Sequence, residues 1–505
     1  MKNKFYVTTP IYYVNAVPHL GSAYTTIAAD VLARYYRGKY GAENVFFMTG
    51  TDEHGAKIQE MAETAGKTPK VFTDEIVAKF KTAWENLDID YDNFLRTTDK
   101  QHEEAVAWVT QKLYDQGDIY KGSYEALYCV GCEQYKTKSE LIEGNICPDH
   151  NRECEIHEEE AYLFALSKYQ DELEKRISTD EISIRPEARK NEILTFIRGG
   201  LEDVAISRKK ENVYWGIDLP FDKTHTTYVW VDAFLNYLTG LGWPADTKKS
   251  DKFWPADVQL MAKDIARVHA TLWQAMLLAL KLPTSKQLFV HGYFTIDGKK
   301  MSKSLGNVLE PNALVEKFGA DAVRYAVLRE FPFGSDGDIS EEKIAVRYTS
   351  DLANGIGNLL QRTLTIINNN KLTLSDIDVQ IQDGLFQDPT GEATLTLDEK
   401  ISLATEKLKF HEALTLIWVF RIRLINQYFE EMKPWELAKF DQAKLVEVLQ
   451  VCYFQLKQIS KNILPFMPET SEKMKKQLET LKPEPLFPRI DIVEVKSGKK
   501  MEYKF

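Results

Sequence analysis

The sequence predicts an α/β protein in which a parallel sheet, interrupted by an insertion, is followed by an α-helical bundle. Near the N-terminus, apolar runs of strand length alternate with segments of helical period, the pattern of strand–helix–strand crossovers. Between about 116 and 224 that rhythm breaks around a cluster of four cysteines. From about Tyr348 the chain reads as long amphipathic helices. At 505 residues it is too long for one core and implies several domains.

The elements follow in order. Lys4-Phe5-Tyr6-Val7-Thr8-Thr9 is a β-rich run that leads into a turn punctuated by Pro and Gly. From Thr25 to Tyr40, Ile27, Val31, Leu32, Tyr35 and Tyr36 recur at helical spacing. The apolar run Asn44 to Gly50 is a second strand, and a helix is expected from roughly Pro69 to Leu87. After the insertion, Tyr228-Val229-Trp230-Val231 reads as a strand, about Ile265 to Leu280 as a helix, and Gln287 to Val290 as a strand. In the helical region Leu414, Ile417, Phe420, Leu424 and Tyr428 keep spacings of three and four and form one expected buried face. A Gly- and Asp-rich loop at roughly 373–396 separates the first of these helices from the rest. The expected domains are therefore 1–115 and 225–295 for two halves of the sheet domain, 116–224 for the insertion, 296–347 for a connecting loop region, 348–485 for the helices and 486–505 for a tail.

Bulk properties exclude several classes. A formal charge of −11 argues against a general nucleic-acid coat, although a local basic track can still bind, because binding responds to the local field. Met1 to Val14 lacks an apolar stretch with a cleavage site, and the longest apolar run, about Leu272 to Leu282, is interrupted by Gln274 and Lys281. Neither a signal peptide nor a membrane span is expected. Of five cysteines, four lie between 129 and 154, while Cys452 sits alone in a helical pattern and reads as core. Clustering of this kind points to metal ligation in a reducing cytoplasm rather than to a secreted disulfide framework.

Cys129-x-x-Cys132 is followed, fourteen residues later, by Cys147-x-x-His150. Each pair can grip one edge of a tetrahedron, and three thiolates with one imidazole suit a closed structural Zn²⁺ site. Cys154 stands close enough in sequence to be an alternative fourth ligand.

The segment Asp297 to Gly306 packs Lys299, Lys300, Lys303, Ser302 and Ser304 around Gly298. It can fold over a polyanion with ammonium groups and hydroxyls converging on phosphate oxygens. Far upstream, Val17-Pro18-His19-Leu20-Gly21-Ser22 marks a change from strand-like to helix-like sequence. A helix N-terminus favours phosphate there, His19 can donate to a phosphate oxygen, and Gly21 lets an adenine or ribose approach the backbone. Together the two segments point to an ATP site.

Thr9-Pro10-Ile11-Tyr12-Tyr13 with His19-Leu20-Gly21-Ser22, Thr51-Asp52-Glu53-His54-Gly55, Val290-His291-Gly292-Tyr293, Lys300-Met301-Ser302-Lys303-Ser304 and the run Lys317 to Tyr325 resemble the class I methionyl-tRNA synthetases, in that family's order. The resemblance covers nearly the whole chain. It implies a Rossmann-like catalytic domain with a zinc-knuckle insertion and a helical anticodon-binding domain. It implies activation of L-methionine by ATP with Mg²⁺, then transfer to the 3′ end of tRNA(Met). In-line attack by a carboxylate on the α-phosphate needs no general base; the protein must position the reactants and neutralise charge.

The same resemblance assigns His19, Lys300 and Lys303 to catalysis, and His19, Gly21, Ser22, Asp264, Lys300 and Lys303 to ATP. Ile11, Tyr13, Trp230, Tyr237 and His291 would line the methionine pocket, with Asp52 pairing the ammonium; aromatic walls suit a polarizable thioether. Trp230 and Tyr237 are seven apart, which fits core packing equally well, and the Val229-Trp230-Val231-Asp232-Ala233 match is what selects the pocket. Asn358 and Arg362, four apart on one helix face, and Trp435, just after a proline, would contact the anticodon. The knuckle pattern selects His150 over Cys154. Ser22 stands where many relatives carry a second histidine, and Ala262 where a glycine is usual; Ser22 can still donate to phosphate, while Ala262 adds a methyl beside the expected ribose site. The chain stops soon after Leu486-Phe487-Pro488-Arg489, without room for the extra β-barrel through which some relatives dimerise, so a monomer is expected. Two other readings compete: nucleotidyl transfer to a small metabolite, and a non-catalytic tRNA- or partner-binding paralogue.

Overall fold

The computed structural model describes residues 3–132, 134–136, 141–142, 145–296, 298–300, 308–379, 395–488, 491–494 and 501–504. The chain divides into two compact units, each drawn from separate stretches: 1–17, 44–81 and 91–290 in the first, and 18–43, 82–90 and 291–505 in the second.

The main sheet of the first unit comprises β1 (Phe5–Thr8), β2 (Tyr12–Tyr13), β3 (Val45–Asp52), β4 (Asn93–Arg96), β5 (Ser183–Arg185), β6 (Val258–Ala262) and β7 (Gln287–His291). Their spatial order is β5-β7-β6-β1-β3-β2, with β4 also paired to β3. The register is parallel, for example Phe5↔Val45 through Thr8↔Met48 and Val7↔Val258. A parallel strand is covered on both faces and reads as a continuous apolar run. Val45-Phe46-Phe47-Met48 is such a run, and all four residues are buried. β6 escapes the sequence reading because Val258-Gln259-Leu260-Met261-Ala262 is short and carries a buried glutamine.

Tyr228 to Val231, expected as a strand, instead opens the helix Val229–Phe234. Its β-branched and aromatic residues favour a strand locally, yet Val231 N–H donates to Tyr228 O, and Val231 and Phe234, three apart, both enter the core. Burial at helical spacing overrides the propensity. The span 116–224 forms a long antiparallel hairpin, Ile119–Cys129 with Glu155–Phe164, in register from Ile119↔Phe164 to Tyr128↔Glu155. The same span supplies β5 to the main sheet.

In the second unit, α1 (Leu20–Tyr40) begins five residues before the expected Thr25. Every residue from Ala23 to Ala33 is buried, as in a helix packed on all sides. One of them is Asp30. It pairs with Arg324 of α2 (Ala320–Arg329) at 2.6 Å, and both side chains are wholly excluded from solvent. Arg324 also donates to the carbonyls of Phe466 at 2.9 Å, Pro465 at 3.0 Å and Leu87 at 3.2 Å.

The helical region contains α3 (Asn358–Asn369), α4 (Pro434–Phe440) and α5 (Gln442–Ile463). Between Phe410 and Met432 the helical run widens to a π-type turn at Trp418–Arg423. Leu414 and Ile417 are buried as expected, but beyond the turn the buried face moves to Ile422, Ile425 and Phe429, away from Phe420, Leu424 and Tyr428. A wider turn adds residues per revolution and so rotates the face. The loop expected at 373–396 lies mostly outside the described residues.

Asp30→Asn leaves the Arg324 guanidinium buried without its counter-charge, and breaking a buried pair in this way is expected to cost about 3–5 kcal/mol. Urea unfolding should show a lower midpoint with unchanged slope; a wild-type midpoint would contradict this role for the pair.

Candidate active site

His19 is the N-cap of α1. Its Nδ1 accepts the backbone N–H groups of Gly21 at 3.0 Å and Ser22 at 3.3 Å. Ser22 Oγ closes the reciprocal half of the capping box, accepting His19 N–H at 3.1 Å and donating to His19 O at 2.7 Å. With Nδ1 an acceptor, the neutral ring carries its proton on Nε2, and His19 is exposed. This turn therefore sets an exposed imidazole on an anion-favouring helix end. Ser22, expected to donate to phosphate, is turned instead to the His19 carbonyl. A Cβ on Gly21 would fall 2.9 Å from His19 Cε1, so the glycine makes room for the imidazole that folds back over the cap.

His291 is buried in the second unit. Its Nδ1–H donates to Gly292 O at 2.8 Å, and its Nε2 accepts from the Thr25 hydroxyl at 2.7 Å. Burial strips the ring of hydration and pushes its pKa down to about 4. Tyr24 and Phe333 pack against it. A Cβ on Gly292 would overlap the backbone of Ser335 at 2.3 Å, so no larger residue fits there. Beyond it, Phe294–Ile296 pairs antiparallel with Lys299–Lys300, with Thr295↔Lys300 in register. Asp338 anchors the turn between them, accepting Gly298 N–H at 3.0 Å and Thr295 Oγ1 at 3.1 Å and pairing with Lys343. Lys303 lies outside the described residues, and Lys300 is described in its backbone alone.

In the first unit, the sequence-assigned residues gather at the carboxyl ends of parallel strands, where open α/β sheets bind ligands. Ile11 follows β1, Asp52 ends β3, and the exposed Asp264 follows Ala262 at the end of β6. The loop around Asp52 is clamped by its buried neighbour Glu53, which takes a bidentate pair from Arg96 at 2.7 Å and the hydroxyls of Thr51 and Thr98. Trp215 Nε1 donates to Glu53 O at 2.6 Å. Asp52, Ile11 and Tyr13 are half-buried, and a Cβ on Gly55 would lie 3.1 Å from the Tyr13 hydroxyl.

Trp230, half-buried, packs on Phe234 with ring centroids 5.6 Å apart. Phe234 meets His269 edge-on, and His269 holds the fully buried Tyr237 through a 2.8 Å bond to its hydroxyl. Burial pushes the pKa of His269 down to about 4; its Nδ1–H donates to Ile265 O, which leaves Nε2 to accept from Tyr237. Below Trp230, Asp232 bonds both His54 and His102. Burial by itself would lower the pKa of His54, but the charge and hydrogen bond of Asp232, with Glu103 and Asp52 adding to them, outweigh it and raise the value to about 10. Sequence reasoning missed Glu53, His54, Asp232, His269 and Asp338. Glu53 and His54 stand within the motif quoted for Asp52, whereas nothing local marks His269 or Asp338.

The described residues contain one group of at least three potential metal ligands: Cys129, Cys132, Cys147 and His150, whose ligand atoms lie within 4.8 Å of one another. Cys132 Sγ is 3.3 Å from Cys147 Sγ and 3.1 Å from His150 Nδ1. The edges of a tetrahedral zinc site with these donors are about 3.5–3.8 Å, so the set is nearly preformed. Cys154 is buried against Cys129 and Cys147 but falls outside the group. These four residues can hold a metal ion.

On α3, Asn358 is exposed, and one turn later the Arg362 guanidinium lies 4.8 Å from the Phe429 ring and 5.3 Å from that of Trp435. Arg362 also pairs with Glu430. Pro434 is the first residue of α4, following Lys433 in the left-handed region, and this turn brings Trp435 to Arg362. Two residues singled out separately in the sequence are therefore neighbours. No helix among the described residues is long and apolar enough to cross a membrane.

The profile of the family described as "tRNA synthetases class I (M)" matches residues 5–155 and 150–364. The methionine–tRNA ligase of Clostridium acetobutylicum is 45% identical, over 97% of this chain and 79% of that protein. That of Thermotoga maritima is 41% identical, over 98% and 81%. Among solved structures, Mycobacterium tuberculosis methionyl-tRNA synthetase in complex with methionyl-adenylate superposes with a TM-score of 0.87 at 36% identity, over 97% of this chain and 100% of that one. The apo form of the same enzyme gives 0.80 at 32% identity, over 97% and 98%.

The two buried histidines should titrate oppositely. His54, raised from 6.5 to about 10, contributes stability that is complete below pH 6.5 and lost as pH rises through about 10; His291, lowered to about 4, contributes stability lost as pH falls from 6.5 towards 4. Imidazole nitrogen NMR should find His54 doubly protonated at pH 8 and His291 neutral at pH 5.5. A charged His291 at that pH would contradict its burial.

Proposed function

The chain belongs to the class I methionyl-tRNA synthetase family, and from that premise we propose how its residues divide the work. As a methionine–tRNA ligase it activates L-methionine with ATP to methionyl-adenylate and pyrophosphate, then transfers the methionyl group to the 3′ end of tRNA(Met).

The observation that supports the ATP assignment is the His19 cap: an exposed imidazole at a helix N-terminus whose Nδ1 accepts two backbone N–H groups, so that the ring proton sits on Nε2. That donor serves an α-phosphate oxygen as charge builds on it. Gly21 and Ser22 act by holding the imidazole, Asp264 hydrogen-bonds a ribose hydroxyl, and Lys300 and Lys303 clamp the triphosphate. Bound with the nucleotide, Mg²⁺ would supply charge neutralisation at the phosphates beside Lys300 and Lys303. Asp52 pairs with the ammonium of methionine, and by motif match Ile11, Tyr13, Trp230, Tyr237 and His291 are assigned to its side chain. An uncharged His291 suits an apolar side chain, because it brings no net charge to be desolvated. Such a pocket rejects shorter aliphatic amino acids by about 1–3 kcal/mol per missing group.

Asn358, Arg362 and Trp435 bind the anticodon. The contact between Arg362 and Trp435 supports this, since a cation stacked on an indole beside an exposed amide can hold an unpaired base by stacking and by its edge. Three thiolates and an imidazole fit zinc, which would tie the knuckle together as a structural ion. Thiolates kept reduced for that purpose support a cytoplasmic location.

Methionine-dependent ATP–pyrophosphate exchange, run over a panel of amino acids, tests the assignment against nucleotidyl transfer to a metabolite and against a non-catalytic paralogue. Lys303→Ala should lose about 10²–10³ in exchange rate while keeping methionine binding; near-normal exchange would defeat that role. Trp435→Ala should keep exchange and lose tRNA charging, and a parallel loss of both would mark a folding defect instead. Elemental analysis should find one zinc per chain, removed with the knuckle's order by a strong chelator; a zinc-free protein unaffected by chelation would overturn the metal assignment.

A further inference from the structure

Asp232 sits in the helix Val229–Phe234, two residues after Trp230, and is 1% exposed. Its carboxylate is shared between two imidazoles from different elements. Oδ2 is 2.7 Å from Nδ1 of His54, and Oδ1 is 2.8 Å from Nε2 of His102. The network ends on Thr239, whose hydroxyl is 2.7 Å from His102 Nδ1, and on Glu103, 3.7 Å from His54 Nε2. His54 lies two residues beyond Asp52 on the loop that follows β3, and His102 belongs to the helix Lys100–Asp115.

One buried carboxylate thus joins the element that carries Trp230 to the loop that carries Asp52, and braces both against a third element. Packing alone does not call for this arrangement. Well-packed apolar residues of similar volume are often as stabilising as a buried charged network or more so, whereas directional bonds to two oxygens allow a single spacing of the groups they join. The other side of the Asp52 loop is already held by Glu53 and Arg96, so the Asp232 bonds set its remaining freedom.

We propose that Asp232 is a positioning residue for the amino acid: through His54 and His102 it sets the span between the Trp230 ring and the Asp52 carboxylate, so that the side chain and the ammonium of the substrate are read at one separation. The inference rests on the assignment of Trp230 and Asp52 to methionine. In Asp232→Asn the amide NH₂ meets an imidazole N–H, one arm of the bridge opens, and the span relaxes.

ATP–pyrophosphate exchange in the full chain, with methionine and ATP varied separately, tests the idea. Asp232→Asn should raise the KM for methionine by about tenfold or more and leave the KM for ATP within about twofold. It should also narrow the preference for methionine over analogues one methylene longer or shorter. His102→Ala should shift the methionine KM in the same direction, and His102→Gln, which keeps an N–H for the carboxylate, should recover most of the loss. If Asp232→Asn does not fold, Thr239→Val, which removes only the outermost bond, should still raise the methionine KM about threefold. An unchanged methionine KM, or equal rises for methionine and ATP, would overturn the proposal, because a purely structural role moves both or neither. Trp230→Ala separates the two layers. If it leaves the methionine KM unchanged, the assignment of the pocket fails; if it raises that KM while Asp232→Asn does not, only the positioning role fails.

Discussion

The second unit depends on one buried guanidinium. Arg324 is fully enclosed, yet it gathers the Asp30 carboxylate of α1, the Leu87 carbonyl and the Pro465 and Phe466 carbonyls, groups from three separate stretches of chain. Desolvating such a charge costs several kcal/mol, and the cost is recovered only when the partners satisfy the fork together. That condition is geometric, so it fixes α1 against the segments around it. The N-terminal end of α1, capped by His19, inherits that rigidity. A capping imidazole keeps one orientation only if the helix beneath it does not shift.

Within each unit, chemistry is set by how polar groups are buried. His54 and His291 are both enclosed, but a carboxylate 2.7 Å from one holds it charged against the cost of burial, while burial with no such counter-charge keeps the other neutral. The same ring type therefore stands as a charged tie in one network and as an uncharged buried ring in another. Asp52 shows the complementary case. Its position follows from neighbours, Glu53 with Arg96 on one side and His54 with Asp232 on the other, that need not touch the substrate.

The fold was legible where its signal is local. β1, β3 and β7 announce themselves as apolar runs, and the helical region by its period. The metal group was readable from Cys129, Cys132, Cys147 and His150 because two short gaps already dictate the edges of a tetrahedron. Three departures from the sequence reading have separate causes. Tyr228 to Val231 carries strand formers but turns helical because Val231 and Phe234 both find the core; β6 is short and includes a buried glutamine; and the π-type turn at Trp418–Arg423 rotates the buried face by an amount that no spacing rule anticipates.

The sequence by itself determined the family and the reaction, because these reside in short ordered motifs whose residue types are the chemistry. What the tertiary structure decided is the state and contacts of individual side chains. It showed that His19 spends Nδ1 on its own helix, that Ser22 takes part in the cap, that Arg362 and Trp435 meet, and that Asp232 ties His54 to His102. Each of these rests on contacts between residues distant in the chain or on a bond that could have formed elsewhere. Burial and hydrogen-bond competition are settled only when the whole chain has packed, and no single segment contains that outcome.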